Sequence, residues 1–287
     1  MTSNLYEKIQ QFYDSSSGLW EQIWGEHMHH GYYGPNGDRQ IERRQAQIDL
    51  IEELLHWTED NLSRNLSETV SNILDVGCGI GGSSLYLSQK FNATATGITL
   101  SPVQASRATQ RAESANLPCN FQVANALEMP FADNSFDLVW SLESGEHMPN
   151  KKQFLQECYR VLNPGGTLIL ATWCHRPVTP PAPPLSEKER RHLIEIYRVY
   201  YLPYVISLPE YEAIAHQSGF QNIHTADWSA AVAPFWDIVI DSAFDPSAIF
   251  GLLFSGWDTI RGALSLGLMS EGYKSGLVRY GLICASK

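Results

Sequence analysis

The sequence predicts an α/β fold with a doubly wound, mostly parallel sheet in the middle of the chain. Two observations carry this prediction. Short apolar runs alternate with helical patterns between residues 73 and 172, and a glycine-rich loop follows the first run. This alternation is typical of βαβ units, in which crossover helices cover both faces of a parallel sheet. Ligands of such sheets bind at the carboxyl ends of the strands.

The local signals place each element of the sheet in order. Apolar runs predict strands at Ile73–Val76, Thr94–Ile98, Phe121–Val123, Phe136–Trp140 and Thr167–Thr172. Helical patterns between these strands predict helices at Ser83–Phe91, Pro102–Ala115 and Lys152–Leu162. Ahead of the sheet, apolar residues at helical spacing predict a helix over Arg39–Trp57, which Asp38 would cap, followed by a polar connector over Asn61–Ser71.

A proline-rich segment after the fifth strand predicts a substrate-covering insertion over about residues 177–222. Pro177–Pro184 cannot be helical inside, so we expect it to lead into a helix over Ser186–Tyr200. Ser207–Glu210 has the capping-box pattern, and Gly219 is the expected stop of the helix that follows. We expect an N-terminal helical cap over residues 1–60 and a main domain over residues 61–287 that carries the insertion.

Composition excludes several classes of protein. The net charge is −11 and no run of Lys or Arg is present, which disfavours nucleic acid as a partner. The 5 cysteines are scattered, which argues against a disulfide framework or a zinc site and fits a reducing compartment. No signal peptide, transit peptide or membrane-spanning run is recognisable. We expect a cytoplasmic protein that is at most peripheral on a membrane.

The glycine-rich loop Asp75–Gly82 is the strongest functional signal, although its glycines also fit the G-x-G-x-x-G of dinucleotide-binding folds. Three features favour S-adenosylmethionine over a nicotinamide cofactor. Asp75 can accept a hydrogen bond from an amino-acid ammonium, whereas it would repel a pyrophosphate. The second strand ends in Thr99 and Leu100, without the acid that binds a dinucleotide ribose. The turn Arg160–Gly166 before an apolar strand is typical of methyltransferases.

Polar residues after the second and third strands are the candidates for the rest of the cofactor. Thr99 and Gln104 are expected to bind the ribose hydroxyls, although Ser101 to Gln104 also form a capping box that needs no ligand. The side-chain carbonyl of Asn125, beside Ala126, could accept a hydrogen bond from the adenine amino group. A plain loop asparagine is the alternative.

Four segments of the core, Ile73–Ser84, Gly97–Ala105, Phe136–Met148 and Ala171–Arg176, closely resemble the gamma-tocopherol methyltransferase family. So do Trp20–Tyr33 near the N-terminus and Ala226–Ser229, Ala233–Trp236 and Arg261–Leu264 near the C-terminus. The resemblance covers nearly the whole chain and implies a Rossmann-like class I methyltransferase sheet. Asn125 departs from the family, which more often has Asp there. In lacking a transit peptide the chain resembles the cyanobacterial members.

The resemblance implies methyl transfer from S-adenosylmethionine to C5 of the chromanol ring, with S-adenosylhomocysteine as the product. Gamma-tocopherol would give alpha-tocopherol, and delta-tocopherol would give beta-tocopherol. The alternative acceptors are an alkaloid nitrogen and a sterol-like alkene, because related enzymes share the second-strand motif. A cofactor-binding protein without catalysis and a dehydrogenase are weaker alternatives. The partner is expected to be a lipophilic phenol, with peripheral membrane contact and the oligomeric state left open.

The catalytic candidates Glu143, Glu146 and His147 follow the fourth strand, at the ligand end of the sheet. If that segment is helical, these positions share a face. We expect His147 to be the base for the phenol, with Glu143 as its orienter or as an alternative base. A capping or interhelix network without chemistry is the alternative.

The histidines of His27–His30 suggest a metal site, but three imidazoles without further ligands at metal spacing do not support one, and we expect no metal. The resemblance instead implies that His30 and Gly31 close over the methionine end of the cofactor. The expected cofactor-binding residues are Tyr13, His30, Gly31, Asp75, Gly77, Cys78, Gly79, Gly81, Thr99, Leu100, Gln104, Asn125, Ala126 and Ser141. The expected substrate-binding residues are Trp24, His29, Tyr200, Trp228, Phe235 and Trp236, although core packing is an equal explanation for each aromatic one.

Overall fold

The centre of the molecule is a seven-stranded sheet whose strands lie in the order β3-β2-β1-β4-β5-β7-β6. The computed structural model describes residues 6–7, 9–11, 14, 25–243 and 266–287. Strands β1 to β5 are parallel, and β7 runs antiparallel between β5 and β6. The strands are β1 Asn72–Val76, β2 Thr94–Thr99, β3 Cys119–Val123, β4 Phe136–Leu142, β5 Leu162–His175, β6 Gln221–Asp227 and β7 Val278–Ser286.

Helices cover both faces of this sheet, as predicted for a doubly wound fold. They are α1 Arg43–Leu62, α2 Leu66–Thr69, α3 Gly82–Phe91, α4 Pro102–Ala115, α5 Lys151–Val161, α6 Glu187–Tyr200, α7 Leu208–Ser218, α8 Ser229–Val232 and α9 Pro234–Ala243. Residues 266–274 are also helical, and a 3-10 helix spans Gly145–His147. Alternate residues of β4 serve the two cores, since Leu138 and Trp140 belong to one apolar cluster and Val139 belongs to the other.

The helix ends confirm several predicted caps. The Ser101 hydroxyl accepts from the Gln104 backbone N–H at 3.0 Å, and Pro102 opens α4. A capping box starts α7, because Ser207 and Glu210 satisfy each other's backbone N–H groups. Gly219 ends that helix with a φ of 104°, which only glycine adopts without strain.

Two predicted elements are present with other bounds, and one predicted cap is wrong. Helix α1 begins at Arg43 rather than Arg39, because the Glu42 carboxylate, not Asp38, accepts from the Gln45 N–H at 3.1 Å. It also extends to Leu62, into the predicted connector. The predicted fifth strand is the middle of β5, which is 14 residues long.

Strands β6 and β7 were not predicted. The sequence of β6 is mostly polar, and β7 is buried by its neighbours on both sides. The two helices of the predicted insertion lie in different cores, since Leu193 and Ile196 of α6 join one cluster and Tyr211 of α7 joins the other. The division into domains therefore stays a prediction. Among the described residues, no helix is both long and apolar enough to cross a membrane.

Candidate active site

The candidate site is a pocket at the carboxyl ends of β1, β2 and β4, beneath the segment that precedes α1. This is the edge at which ligands bind in parallel sheets. Twelve of the predicted site residues line it together: His29, Asp75, Gly77, Cys78, Gly79, Thr99, Leu100, Gln104, Glu143, Glu146, His147 and Tyr200. Met28, Ser144, Met148 and Trp173 line it as well and were not predicted.

The glycine-rich loop leaves its backbone open to a ligand while packing closely behind. Gly77 has a φ of 84°, and a β-carbon there would lie 2.2 Å from Ser144 Cβ. Gly79 has a φ of 53°, and a β-carbon there would meet only Met28 Sδ, at 3.8 Å. The loop is held to β2 because the N–H groups of Gly77 and Cys78 donate to the Ile98 carbonyl. A ligand can therefore lie along Gly79.

Asp75 lies at the floor of the pocket and is buried. Its Oδ2 accepts from the Ser84 hydroxyl at 2.5 Å. Burial raises the pKa of Asp75 to about 7, with the hydrogen bonds from Ser84 opposing the shift. An ammonium group placed beside this carboxylate would restore its charged form. The chemistry therefore fits the amino-acid end of S-adenosylmethionine.

The polar residues proposed for ribose and adenine are already engaged with one another or with the backbone. The Thr99 hydroxyl donates to Gln104 Oε1 at 2.7 Å, so both side chains are oriented at the pocket wall. Asn125 Oδ1 accepts from the Leu127 N–H at 3.0 Å, which stabilises the turn after β3. Asn125 does not line the pocket, and its contact with adenine remains a prediction.

Glu143 carries the densest set of contacts in the site. Its Oε1 accepts from the His30 backbone N–H at 2.8 Å and from the Tyr280 hydroxyl at 2.9 Å. Its Oε2 accepts from His30 Nδ1 at 2.8 Å and from Trp173 Nε1 at 3.3 Å. Burial alone would raise the pKa of Glu143, but the contacts with His30 and His29 lower it overall. Glu143 is therefore an ionised, fully hydrogen-bonded carboxylate.

The backbone of Glu143 is also strained. Its φ is 54°, in the left-handed region that non-glycine residues rarely adopt. The three catalytic candidates therefore do not share one helical face, because only Glu146 and His147 belong to the 3-10 helix. The Glu143 carboxylate meets the segment that precedes α1, where its partner His30 lies.

The 3-10 helix brings three further titratable groups together. Glu146 is buried, accepts from the Thr172 hydroxyl at 2.8 Å, and has its pKa raised to about 8 by burial and by Glu143. Lys151 is buried too, and burial lowers its pKa to about 7. Burial, assisted by the charge of Lys151, lowers the pKa of His147 to about 3. His147 is therefore a neutral imidazole in the pocket wall.

The segment before α1 is fastened to that helix. The Gln47 side-chain amide donates to the carbonyls of His27 and His29 at 2.6 and 2.8 Å. A β-carbon on Gly31 would lie 2.6 Å from Ala46 Cβ, so this glycine permits close packing on α1. Among the described residues, no three His, Cys, Asp or Glu side chains are grouped so as to hold a metal.

His29 and His30 have different surroundings. The ring of His30 is enclosed by those of Trp173, Phe235, Trp236, Tyr273 and Tyr280, with centroids 4.9 to 5.9 Å away. His29 Nδ1 lies 2.8 Å from the His30 carbonyl oxygen. A carbonyl only accepts, so His29 Nδ1 carries the proton and Nε2 is an acceptor. Nε2 is buried and has no hydrogen-bond partner among the described residues.

Several predicted site residues do not line the pocket, and their roles stay predictions. Gly81 packs beside Phe121, and Ser141 shares a hydrogen bond with Ser144 at 2.7 Å. Trp228 packs against Tyr32 and Trp57. His30, Gly31, Asn125, Ala126, Phe235 and Trp236 also lie outside the lining. Tyr13 and Trp24 lie outside the described residues, as do Trp20–Trp24 and Arg261–Leu264 of the resembling segments.

Sequence reasoning missed Trp173, Tyr280 and Lys151. The signal for Trp173 was present, since it follows the predicted fifth strand at the ligand edge. Tyr280 lies in β7, which was not predicted. Lys151 stands next to the equally polar Lys152, and only the fold buries one and exposes the other.

The chain is similar in sequence to known methyltransferases. Residues 74–170 match the family described as Methyltransferase domain. The chain is 46% identical over its full length to the chloroplastic tocopherol O-methyltransferase of Arabidopsis thaliana, covering 83% of that protein. It is 31% identical to norajmaline N-methyltransferase of Rauvolfia serpentina, covering 98% of each chain.

A solved structure shows the same fold. Geranyl diphosphate C-methyltransferase from Streptomyces coelicolor A3(2), in complex with Mg²⁺, geranyl diphosphate and S-adenosyl-L-homocysteine, superposes with a TM-score of 0.73. The two chains are 20% identical, and the match covers 98% of this chain and 97% of the other. On these grounds, the chain belongs to the tocopherol methyltransferase family and is a class I S-adenosylmethionine-dependent methyltransferase.

Proposed function

We propose that this enzyme transfers the methyl group of S-adenosylmethionine to C5 of the chromanol ring of gamma-tocopherol, and of delta-tocopherol. The full-length similarity to a tocopherol O-methyltransferase supports this acceptor. The observation that carries the proposal is the pairing, in one pocket, of an open glycine loop with two neutral imidazoles, His29 and His147. Methylating a ring carbon beside a phenol needs a cofactor site, a group that takes up the phenol proton and returns it, and a base for the ring proton.

The residues present fit the cofactor. Bound S-adenosylmethionine supplies an electrophilic methyl group on a sulfonium. Gly79 leaves room for it along the loop, and Asp75 complements its ammonium group. Glu143, which stays ionised, gives the pocket a fixed negative charge beside a cationic ligand. Thr99 at the end of β2 and Gln104 in the first turn of α4 would hold the ribose hydroxyls.

In the net reaction one proton leaves the acceptor, from the ring carbon, whereas the phenol proton is taken up by a base and returned to the oxygen of the product. A base for the phenol proton raises the electron density on the ortho carbon, and a second base takes the ring proton after the C–C bond forms. We propose that His147 takes up the phenol proton and that His29 removes the ring proton, because His29 Nε2 is already an acceptor. Glu143 does not serve as a base, because its four hydrogen bonds occupy both oxygens.

The acceptor's phytyl-like tail would continue beyond the ring along the apolar side of the pocket, past Met148, Trp173 and Tyr200. A substrate of this kind dissolves in lipid, and we propose that the enzyme contacts a bilayer peripherally to reach it. Co-sedimentation with liposomes tests this contact. Protein that stays in the supernatant at every lipid concentration would contradict it.

The decisive experiment is transfer of a labelled methyl group to gamma-tocopherol, with delta-tocopherol and an unrelated phenol alongside. NMR of the product separates a new ring methyl from an O-methyl ether. A ring methyl at C5 supports the proposal. An O-methyl product, or turnover on an amine but on no phenol, would refute it. The second outcome would favour the alkaloid-type acceptor of the norajmaline relative.

The same assay assigns the two imidazoles. With gamma-tocopherol deuterated at C5, loss of the ring-proton acceptor should make ring deprotonation slow and reveal a primary isotope effect. We expect this effect in His29→Gln and not in His147→Gln, with kcat reduced by about 100-fold or more in each. The opposite pattern would exchange the two roles.

A further inference from the structure

Lys151 is the most unusual charged residue of the site. It opens α5 with 2% of its side chain exposed, although lysine is rarely buried without a partner. Its Nζ donates to the carbonyls of Gly145 at 2.8 Å and Glu146 at 2.9 Å. The ring of Tyr204 covers it from the other side, with the centroid 4.9 Å from Nζ. None of these contacts joins Lys151 to the cofactor loop.

The two carbonyls belong to the 3-10 helix that carries Glu146 and His147. The Gly145 carbonyl accepts the capping N–H of Met148 at 3.2 Å, whereas the Glu146 carbonyl lies at the end of the helix, where a cation is well suited to bind it. The Gly145 carbonyl also accepts from the buried Tyr211 hydroxyl at 3.1 Å. Among the hydrogen bonds of the described residues, the Glu146 carbonyl receives one from Lys151 alone. The peptide between Glu146 and His147 is therefore held at both ends, by its N–H, which donates to the Ser144 carbonyl at 3.1 Å, and by the ammonium group on its carbonyl.

We propose that Lys151 is a positioning residue for methyl transfer, which holds the Gly145–His147 turn so that the His147 imidazole faces the acceptor. The inference rests on the proposed function, in which His147 accepts the phenol proton. Lys151 itself does not line the pocket. It acts through the 3-10 helix, and its positive charge also lowers the pKa of His147.

The charges around this turn give the proposal a signature in pH. His147 has its pKa lowered first by burial and then by Lys151, so removing the cation should raise it. Lys151 has its pKa lowered by burial, while Glu146 and Cys174 raise it. The like charge of Glu143 in turn raises the pKa of Glu146. The acid limb of kcat/KM, which reports protonation of the essential base, should therefore move to higher pH without Lys151.

The test compares Lys151→Met with Lys151→Arg and with Lys152→Met, a neighbouring exposed lysine as the matched control. Thermal unfolding and equilibrium dialysis with S-adenosylmethionine report folding and cofactor binding. We expect Lys151→Met to bind the cofactor within about threefold of wild type but to lose about 100-fold in kcat/KM. The acid limb of its kcat/KM profile should move to higher pH. Lys151→Arg should return the acid limb to its wild-type position. Lys152→Met should have the same kcat/KM, acid limb and cofactor binding as wild type.

A double-mutant cycle with His147→Gln separates positioning from general packing. If Lys151 acts through His147, Lys151→Met should cost less than threefold in the His147→Gln background. The proposal is overturned if Lys151→Met loses as much kcat/KM in the His147→Gln background as in wild type. It is also overturned if the acid limb of Lys151→Met does not move. Should Lys151→Met not fold, Lys151→Gln takes its place with the same expectations. The cycle uses whichever acceptor the wild-type enzyme methylates, so a wrong acceptor and a wrong role for Lys151 give different results.

Discussion

Glu143 and Glu146 lie three residues apart in one pocket, yet they should respond in opposite ways to substitution by glutamine. Glu143 is ionised and accepts four hydrogen bonds, two of them from His30. A glutamine there would turn an NH₂ group towards donors and leave two of them unpaired. Each hydrogen bond to a charged group contributes about 1.5–3 kcal/mol. We therefore expect Glu143→Gln to lose about 3–5 kcal/mol of unfolding free energy at pH 7.

The left-handed backbone at Glu143 does not contribute to this loss of unfolding free energy, because a glutamine at the same φ would be equally strained. Since the folded pKa of Glu143 is lowered, its contribution is present above the unfolded pKa and fades as the pH falls. The gap between wild type and Glu143→Gln should therefore narrow below about pH 4.5, the ordinary pKa of a glutamate. Urea unfolding, followed by the fluorescence of the 8 tryptophans, measures this difference in unfolding free energy at each pH.

Glu146 is the matched control. Its pKa is raised to about 8, so the folded protein holds it protonated at pH 7 while the unfolded chain ionises it. That contribution is favourable at low pH and is lost as the pH rises towards 8. As the pH rises from 5 to 8, the unfolding free energy of Glu146→Gln should therefore increase relative to that of wild type, by on the order of 2 kcal/mol. A loss under 1 kcal/mol for Glu143→Gln, or an equal loss in both variants, would refute the reasoning.

Three further substitutions test other parts of the structure. Gly77→Ala should abolish cofactor binding in equilibrium dialysis, because its β-carbon would lie 2.2 Å from the Ser144 side chain. The control Gly165→Ala is also at positive φ but has nothing within 4 Å of the new β-carbon. It should bind the cofactor normally and lose only about 1–2 kcal/mol of unfolding free energy. Ser207→Ala removes a capping box and should lower the unfolding free energy by about 1 kcal/mol; an unchanged urea midpoint would contradict this. Tyr280→Phe removes one donor to Glu143 and should cost about 1.5–3 kcal/mol, whereas a loss as large as that of Glu143→Gln would contradict the four-donor account.

The parts of the fold that local sequence determines were predictable. The strand, glycine loop and helix from β1 to α3 have a regular pattern, and the pocket forms where parallel strands end. The cap of α7 needed only the residues from Ser207 to Glu210. The strand, loop and helix pattern and the cap depend on neighbours within a few positions, and the place of the pocket follows from the parallel order of the strands.

The remainder depends on contacts between distant positions. His30 meets Glu143 across 113 residues, and Tyr280 meets the same carboxylate across 137. Nothing in the sequence near Glu143 distinguishes an anion held by four donors from a general base. The polar run of β6 becomes a strand only because β7 lies beside it. Burial of Lys151 likewise follows from Tyr204, which comes more than 50 positions later.

The position of β7 inside the sheet bears on how the protein matures during synthesis. A ribosome completes β5 and β6 before β7, yet β7 lies between them and pairs with both. Until it emerges, the edge of β5 stays open and β6 has no strand to join, so the nascent chain presents a template for aggregation. Tyr280, a donor to Glu143, arrives on the same strand. We therefore expect the nascent enzyme to acquire its complete pocket only after β7 has been synthesised, and to benefit from a chaperone until then.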